Sequence, residues 1–165
     1  MWKYGPGFVK LSPRSYLCTI KFSAVMDEFV DIHTHRTNTS GIAVRSWRMG
    51  TDEPMPASPF SAGIHPWDAG QVKDTEAIYS YISSADIAAI GECGLDFLQD
   101  RDNIETQKEV FRRQWEIAEK RGLPIYIHCV RAFGEVMAIL SQYSLKAVIM
   151  HGYIGSPEQT ARIIK

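Results

Sequence analysis

Six short apolar runs, at 29–32, 41–44, 60–64, 87–92, 124–127 and 147–150, most constrain what this chain can fold into. A strand with one wet face alternates apolar and polar residues, whereas a strand covered on both faces reads as a nearly continuous apolar run. Helical spacing lies between several of the runs. It places Ile78, Tyr81 and Ile82 on one face of 74–84, Val110, Phe111, Trp115 and Ala118 on one face of 103–121, and Phe133, Met137 and Leu140 on one face of 130–142. Asp102 and Asn103 open the second of these helices, and Gly122 with Pro124 closes it. Ser156 as N-cap, Pro157 at the first helical position and Glu158 behind it open a further helix. The segment 50–59 carries Pro54, Pro56 and Pro59 and reads as a loop. Strands alternating with helices predict an α/β domain built on a parallel sheet.

Composition narrows the class. A chain of 165 residues with 45% hydrophobic and 22% charged residues is one ordinary folded domain, not a disordered, collagenous or coiled-coil chain. No run approaches the ~18 apolar residues of a membrane span. A net charge of −1 excludes a strongly basic nucleic-acid clamp but leaves room for a local phosphate site. Cys18, Cys93 and Cys129 are odd in number and form no C-x-x-C pair, which suits a reducing cytoplasm. Residues 1–26 contain Lys3, Lys10, Arg14 and Lys21 and no acid. They lack the apolar core of a secretory signal. We therefore expect 1–25 to be an extension that need not join the fold, Met26 to be the functional start, and 26–165 to be the domain.

The histidines carry the chemical information. All five, His33, His35, His65, His128 and His151, come at or just past the end of an apolar run. That edge of a parallel sheet is where α/β proteins build their sites. His33 and His35 are two apart, so on a strand both imidazoles face the same way, together with Asp31, while Val30 and Ile32 face the helices. Two imidazoles from one strand make half a site for a divalent metal. Glu92 ends the fourth run. Its carboxylate is costly to bury without a partner, which a metal, a bridged pair of metals or a structural salt bridge would supply. His128 and His151 extend their runs toward the same mouth. Asp96 lies beyond Glu92, either supporting a ligand or making a turn. His65 is a ligand or a group that grips an anionic substrate, and the second role is favoured. Trp67 beside it either stacks on a base or sugar or packs. Cys93 and Cys129 are expected to be small buried residues rather than ligands.

In order along the chain stand Asp31-Ile32-His33-Thr34-His35, Gly63-Ile64-His65-Pro66, Gly91-Glu92-Cys93-Gly94-Leu95-Asp96, Pro124-Ile125-Tyr126-Ile127-His128 and His151-Gly152-Tyr153-Ile154-Gly155-Ser156, with Gln107, Phe111, Gln114 and Ala118 on the intervening helix. Together these segments, from about Phe29 to Lys165, resemble the TatD-type metal-dependent deoxyribonucleases of the amidohydrolase-like barrel group. The resemblance implies a (β/α)8 TIM-type barrel with two divalent ions, of Zn, Mn, Ni, Co or Mg, at the strand ends. It implies that His33 and His35 hold one ion, His128 and His151 the other, and that Glu92 bridges them as the catalytic carboxylate. His65 would contact the substrate phosphate, and Arg131, displaced by about one residue from the family's arginine, is a further anion contact. The implied reaction is hydrolysis of phosphodiester bonds in DNA from an end. Only about six of eight strands can be counted, and the family's last metal-binding Asp has no counterpart up to Lys165. We therefore expect an incomplete barrel, weak activity, and self-association through exposed barrel edges.

Two other readings compete. One is a related metallohydrolase acting on a small phosphoester, amide or lactone. The PHP-type phosphoesterases also begin with H-x-H, although their later ligands are spread differently. The other is a non-catalytic fragment that binds metal without turnover.

Overall fold

The computed structural model describes residues 8–11, 31–37, 41–99 and 101–164. Seven strands form one sheet: β1 (Phe8–Leu11), β2 (Asp31–Thr34), β3 (Ala43–Arg48), β4 (Phe60–Gly63), β5 (Ala89–Asp96), β6 (Ile125–Val130) and β7 (Ala147–Met150). Four helices accompany them: α1 (Thr75–Ile82), α2 (Ile104–Arg121), α3 (Phe133–Leu140) and α4 (Pro157–Ile163). The spatial order is β1-β7-β6-β5-β4-β3-β2. From β2 to β7 every strand is parallel to the next strand in the chain. A doubly wound sheet reverses its order at a switch point. This one never does. Right-handed crossovers therefore bring successive helices to the same face and leave the other face to line an interior, as along the wall of a (β/α) barrel.

All six apolar runs become strands, with shifted bounds. Phe29 and Val30 lie outside the described residues, as do Cys18 and Met26. The second run starts and ends later, as Ala43–Arg48, because Trp47 packs outward edge-to-face against Phe60 and Tyr81 and extends the strand. β5 and β6 continue past Glu92 and Ile127, where the sequence placed their ends. Their pairing runs on through Gly94↔His128 to Asp96↔Val130. The register shifts between Ile90 and Cys93, where Glu92 turns into the interior face, and the ladder then resumes. A seventh strand, β1, lies in the stretch set aside above as an extension and pairs antiparallel to β7, Phe8 opposite Met150 and Leu11 opposite Ala147.

The core lies between sheet and helices. α2 buries Val110, Phe111, Trp115 and Ala118, as its spacing predicts. It ends at Gly122, whose left-handed φ of 63° lets its N–H return to the Ala118 and Glu119 carbonyls. α3 starts later than expected, since Val130 belongs to β6. Val136, Ile139 and Leu140 are its buried residues, and Phe133 and Met137 lie at the margin of the core. α4 starts at Ser156 as expected, and Gln159 completes a capping box by accepting from the Ser156 N–H. Ile32 was expected against the helices. It is 46% exposed, because β2 is the sheet's open edge and no described helix covers it.

Trp115 is fully buried edge-to-face against Phe111, and its indole N–H has no partner among the described residues. Trp115→Ala should cost about 3–5 kcal/mol of unfolding free energy in a urea titration. Trp115→Phe, which removes the unpaired N–H and keeps most of the ring, should cost clearly less.

Candidate metal centre

Glu92 is the centre of the site. It lies midway along β5, the strand buried along its whole length. Two glycines let β5 approach β6 there. At Gly91, with φ 115°, an added Cβ would stand 2.5 Å from the Tyr126 carbonyl oxygen, and at Gly94, with φ 143°, it would collide with the carbonyl of His128. The Glu92 N–H donates to Ser46 Oγ on β3 at 3.3 Å. These contacts turn the carboxylate into the interior face.

Imidazoles from several strands meet it. His35 Nε2 lies 3.1 Å and His33 Nε2 3.4 Å from Glu92 Oε2, and His128 Nδ1 lies 3.0 Å from Oε1. His65 Nε2 is 4.0 Å from Oε1. The His151 ring lies against that of His33, 4.3 Å between centroids and tilted by 51°. Potential ligand atoms within 4.8 Å of one another fall into two groups that share Glu92. One gathers His33, His35 and His151, and the other gathers His65 and His128. The structure thus brings together all five histidines and Glu92, but it seats His151 beside His33, where the resemblance paired it with His128. Arg131 is not brought in. It is exposed, with φ 52°, and makes no hydrogen bond or ion pair with a described residue.

Electrostatics follow from this packing. Burial alone would raise the Glu92 carboxyl, but the facing imidazoles of His128, His33 and His35 outweigh it and hold the group below the ordinary carboxylate range. Contact with Glu92 raises His35. At His128 burial works downward, but the bonds to Glu92 and Asp96 win and raise it. Burial takes His65 down to about 3 and also lowers His151. Cys93 and Cys129 belong to neither ligand group. Cys93 points into the core, and burial pushes the Cys129 thiol up to about 11.

The donor set fits a metal. The His33 side chain is only 5% exposed, yet its Nδ1 has no hydrogen-bond partner among the described residues and its Nε2 has only a 3.4 Å approach to Glu92 Oε2, outside hydrogen-bond geometry. Nitrogens buried without a partner are costly, and a divalent ion is a partner that imidazoles and a carboxylate can share.

Other residues hold the site in place. Gln107 and Gln114 lie seven apart in the apolar stripe of α2, both fully buried. Gln114 accepts the Ile64 N–H at 2.7 Å and donates to the Ile64 carbonyl at 3.1 Å, fixing the residue before His65. Gln107 treats Asp96 likewise, accepting its N–H at 2.8 Å and donating to its carbonyl at 3.2 Å. Both were noticed in the sequence only through the resemblance, although a glutamine at a core position of an amphipathic helix is a signal in itself. Arg48 was not singled out. It grips Asp68 through Nε at 3.1 Å and Nη2 at 2.8 Å, and its guanidinium lies 5.5 Å from the Trp67 ring centroid. Nothing local in the sequence signals that pairing.

A parallel, singly wound sheet with a histidine–carboxylate cluster on its interior face defines the wall of a (β/α) barrel carrying a candidate metal centre. The family described as TatD related DNase matches residues 28–165, and the chain belongs to it. Over 103 residues it is 35% identical to the 3'-5' ssDNA/RNA exonuclease TatD of Dickeya dadantii, covering 60% of this chain and 39% of the relative. Over 100 residues it is 36% identical to the protein of the same name from Pectobacterium carotovorum, covering 58% of this chain and 38% of the relative. The chain thus spans about two-fifths of the length of these curated relatives. The crystal structure of YJJV, the TatD homolog of Escherichia coli K12, superposes with a TM-score of 0.65 at 20% identity, over 82% of this chain and 64% of that one. That likeness shows the incomplete barrel fold.

Gln114→Leu keeps the size of the side chain but strands the buried Ile64 N–H and C=O. It should lower stability by about 2 kcal/mol or more in denaturant unfolding. A change below about 0.5 kcal/mol would show that the glutamine does not support this turn.

Proposed function

We propose that this chain is a metal-dependent hydrolase of phosphodiester bonds in DNA, acting from an end of the strand. The observation that carries the reading is the pair of ligand groups sharing one buried carboxylate within a chain of the TatD family. Its relatives' names, which specify a 3'-5' exonuclease on single-stranded DNA and RNA, support the direction and the substrate class.

On this reading His33, His35, Glu92, His128 and His151 hold two divalent ions, with Glu92 shared between them. The chemistry such ions supply is a water activated near neutral pH and compensation of charge on the attacking and leaving oxygens. The chain's own groups do the rest. Glu92, kept ionised by its surroundings, offers one oxygen to each side. His65 accepts the Trp67 N–H on Nδ1 at 3.3 Å. A neutral imidazole with Nδ1 so engaged carries its proton on Nε2. Nε2–H then faces the centre as a donor, and a phosphate oxygen is its natural acceptor. This supports substrate contact, not metal binding, for His65. Arg131 lies at the exit of β6, free to meet an incoming anion.

A reducing, cytoplasmic setting belongs to the same reading, since Cys93 and Cys129 are both free. Among the described residues no helix is long and apolar enough to cross a membrane. The edge of β2, with Ile32 exposed, supports self-association between copies.

Elemental analysis of protein purified without chelator should find close to two divalent ions per chain, and Glu92→Gln should lose them. With added Mn or Mg, end-labelled single-stranded DNA should be shortened from one end, slowly because the first ligand group contains a single carboxylate. Chelation or Glu92→Gln should reduce that rate at least 100-fold. A metal-free protein would overturn the reading, and so would turnover of a small chromogenic phosphodiester with none of DNA.

A further inference from the structure

Asp96 has no part in the reading above, yet it is as carefully held as Glu92. It ends β5 with its carboxylate in the interior, and each oxygen has its own work. Oδ1 accepts the backbone N–H groups of Leu98 at 2.9 Å and Gln99 at 3.0 Å. Oδ2 accepts the Trp67 indole N–H at 2.7 Å and lies 2.9 Å from His128 Nε2. The far side of the same imidazole, Nδ1, is 3.0 Å from Glu92 Oε1. The ring is therefore suspended between two carboxylates, one at the centre of the ligand cluster and one outside it.

Asp96 has only acceptors to offer. With Trp67 and two backbone amides already donating to it, it cannot turn a donor toward His128 without losing one of them. The nitrogen facing it must carry the hydrogen. Glu92 makes the same demand on Nδ1, and a divalent ion held beside Glu92 would take the place of the Nδ1 proton while leaving the Nε2 proton on Asp96. We infer that Asp96 is a positioning residue that keeps the His128 proton on Nε2 and so commits Nδ1, the nitrogen facing Glu92, to be the metal-binding lone pair, with Trp67 holding Asp96 in the orientation that does so. Arg48 and Asp68 extend the support outward, since their ion pair lies against the Trp67 ring. A carboxylate on the distal nitrogen of a ligating histidine fixes its tautomer and its ring plane, and losing such a partner costs 10–100-fold in metal affinity.

The inference rests on the two-ion reading but can fail separately from it. Asp96→Asn is the discriminating variant. Whichever way the amide turns, its NH2 meets either the Trp67 N–H or the two backbone N–H groups, unless it donates to His128 Nε2 and drives the proton onto Nδ1. Long-range 1H–15N spectra of the zinc-loaded protein read directly which nitrogen of His128 carries the proton. The wild type should show His128 protonated on Nε2, and Asp96→Asn should show a population protonated on Nδ1. Zinc titration should then show the weaker of two sites weakened a further 10–100-fold in Asp96→Asn, with the other unchanged. Trp67→Phe, which keeps an aromatic six-membered ring and loses the pyrrole ring with its N–H, should move both readouts the same way by less, and it serves if Asp96→Asn does not fold. A wild-type His128 protonated on Nδ1 would overturn the inference, as would unchanged tautomer and zinc affinity in both variants. Absence of zinc binding by the wild type would overturn the two-ion reading and this inference with it, whereas two bound zinc ions with both readouts unmoved in the variants would overturn this inference alone.

Discussion

A carboxylate buried at the centre of a sheet, Glu92, sets the terms for the rest of this structure. Removing a charge from water costs several kcal/mol unless other groups replace the hydration shell. Here the replacement comes from imidazoles on β2, just past its end and on β6, which approach to within 3.4 Å. None of these partners is near Glu92 in sequence. The sheet has to bring them there, which ties local chemistry to global topology. A strand order without reversal does this directly, because every chain segment that leaves a strand end emerges at the same rim.

The same constraint explains the glycines and glutamines. For Glu92 to meet His128, β5 and β6 must come closer than side chains on β5 would permit, and Gly91 and Gly94 remove the obstructing Cβ atoms. For the rim to keep its shape, the backbone groups of Ile64 and Asp96 need partners that a strand ladder no longer supplies. Gln114 and Gln107 provide an amide for each from a single helix face. α2 is thereby more than a cover for the core. It measures the distance between the ends of β4 and β5.

Much of this was legible in the sequence, for a physical reason. Burial on both faces writes itself as a continuous apolar run, so six parallel strands could be read, and a polar residue at the end of such a run stands out. Strand ends were misjudged at Glu92 and His128 because a polar side chain on an interior wall looks like the start of a loop. Periodicity reports which face is buried and not what it meets. It could not show that His151 would lie beside His33, or that Arg48 would reach Asp68. The pairing of Phe8–Leu11 with β7 was also out of reach, since an isolated four-residue strand depends on the edge that receives it.

His65 and His128 show how far a residue's chemistry depends on its second nitrogen. Both point an imidazole nitrogen at Glu92 Oε1, and both stand in the same ligand group. A backbone N–H occupies Nδ1 of His65, so its proton stays on Nε2 and faces inward. A second carboxylate faces Nε2 of His128, so once Nδ1 serves as a ligand its proton would stay outward. One ring presents a donor to the centre and the other a lone pair. Trp67 takes part in both arrangements, through its backbone N–H at His65 and its indole N–H at Asp96. On the proposed reading a single tryptophan, braced by Arg48 and Asp68, would divide two identical side chains between meeting a phosphate and holding a metal. The short turn after β4 that carries it is as much a part of the centre as the ligands themselves.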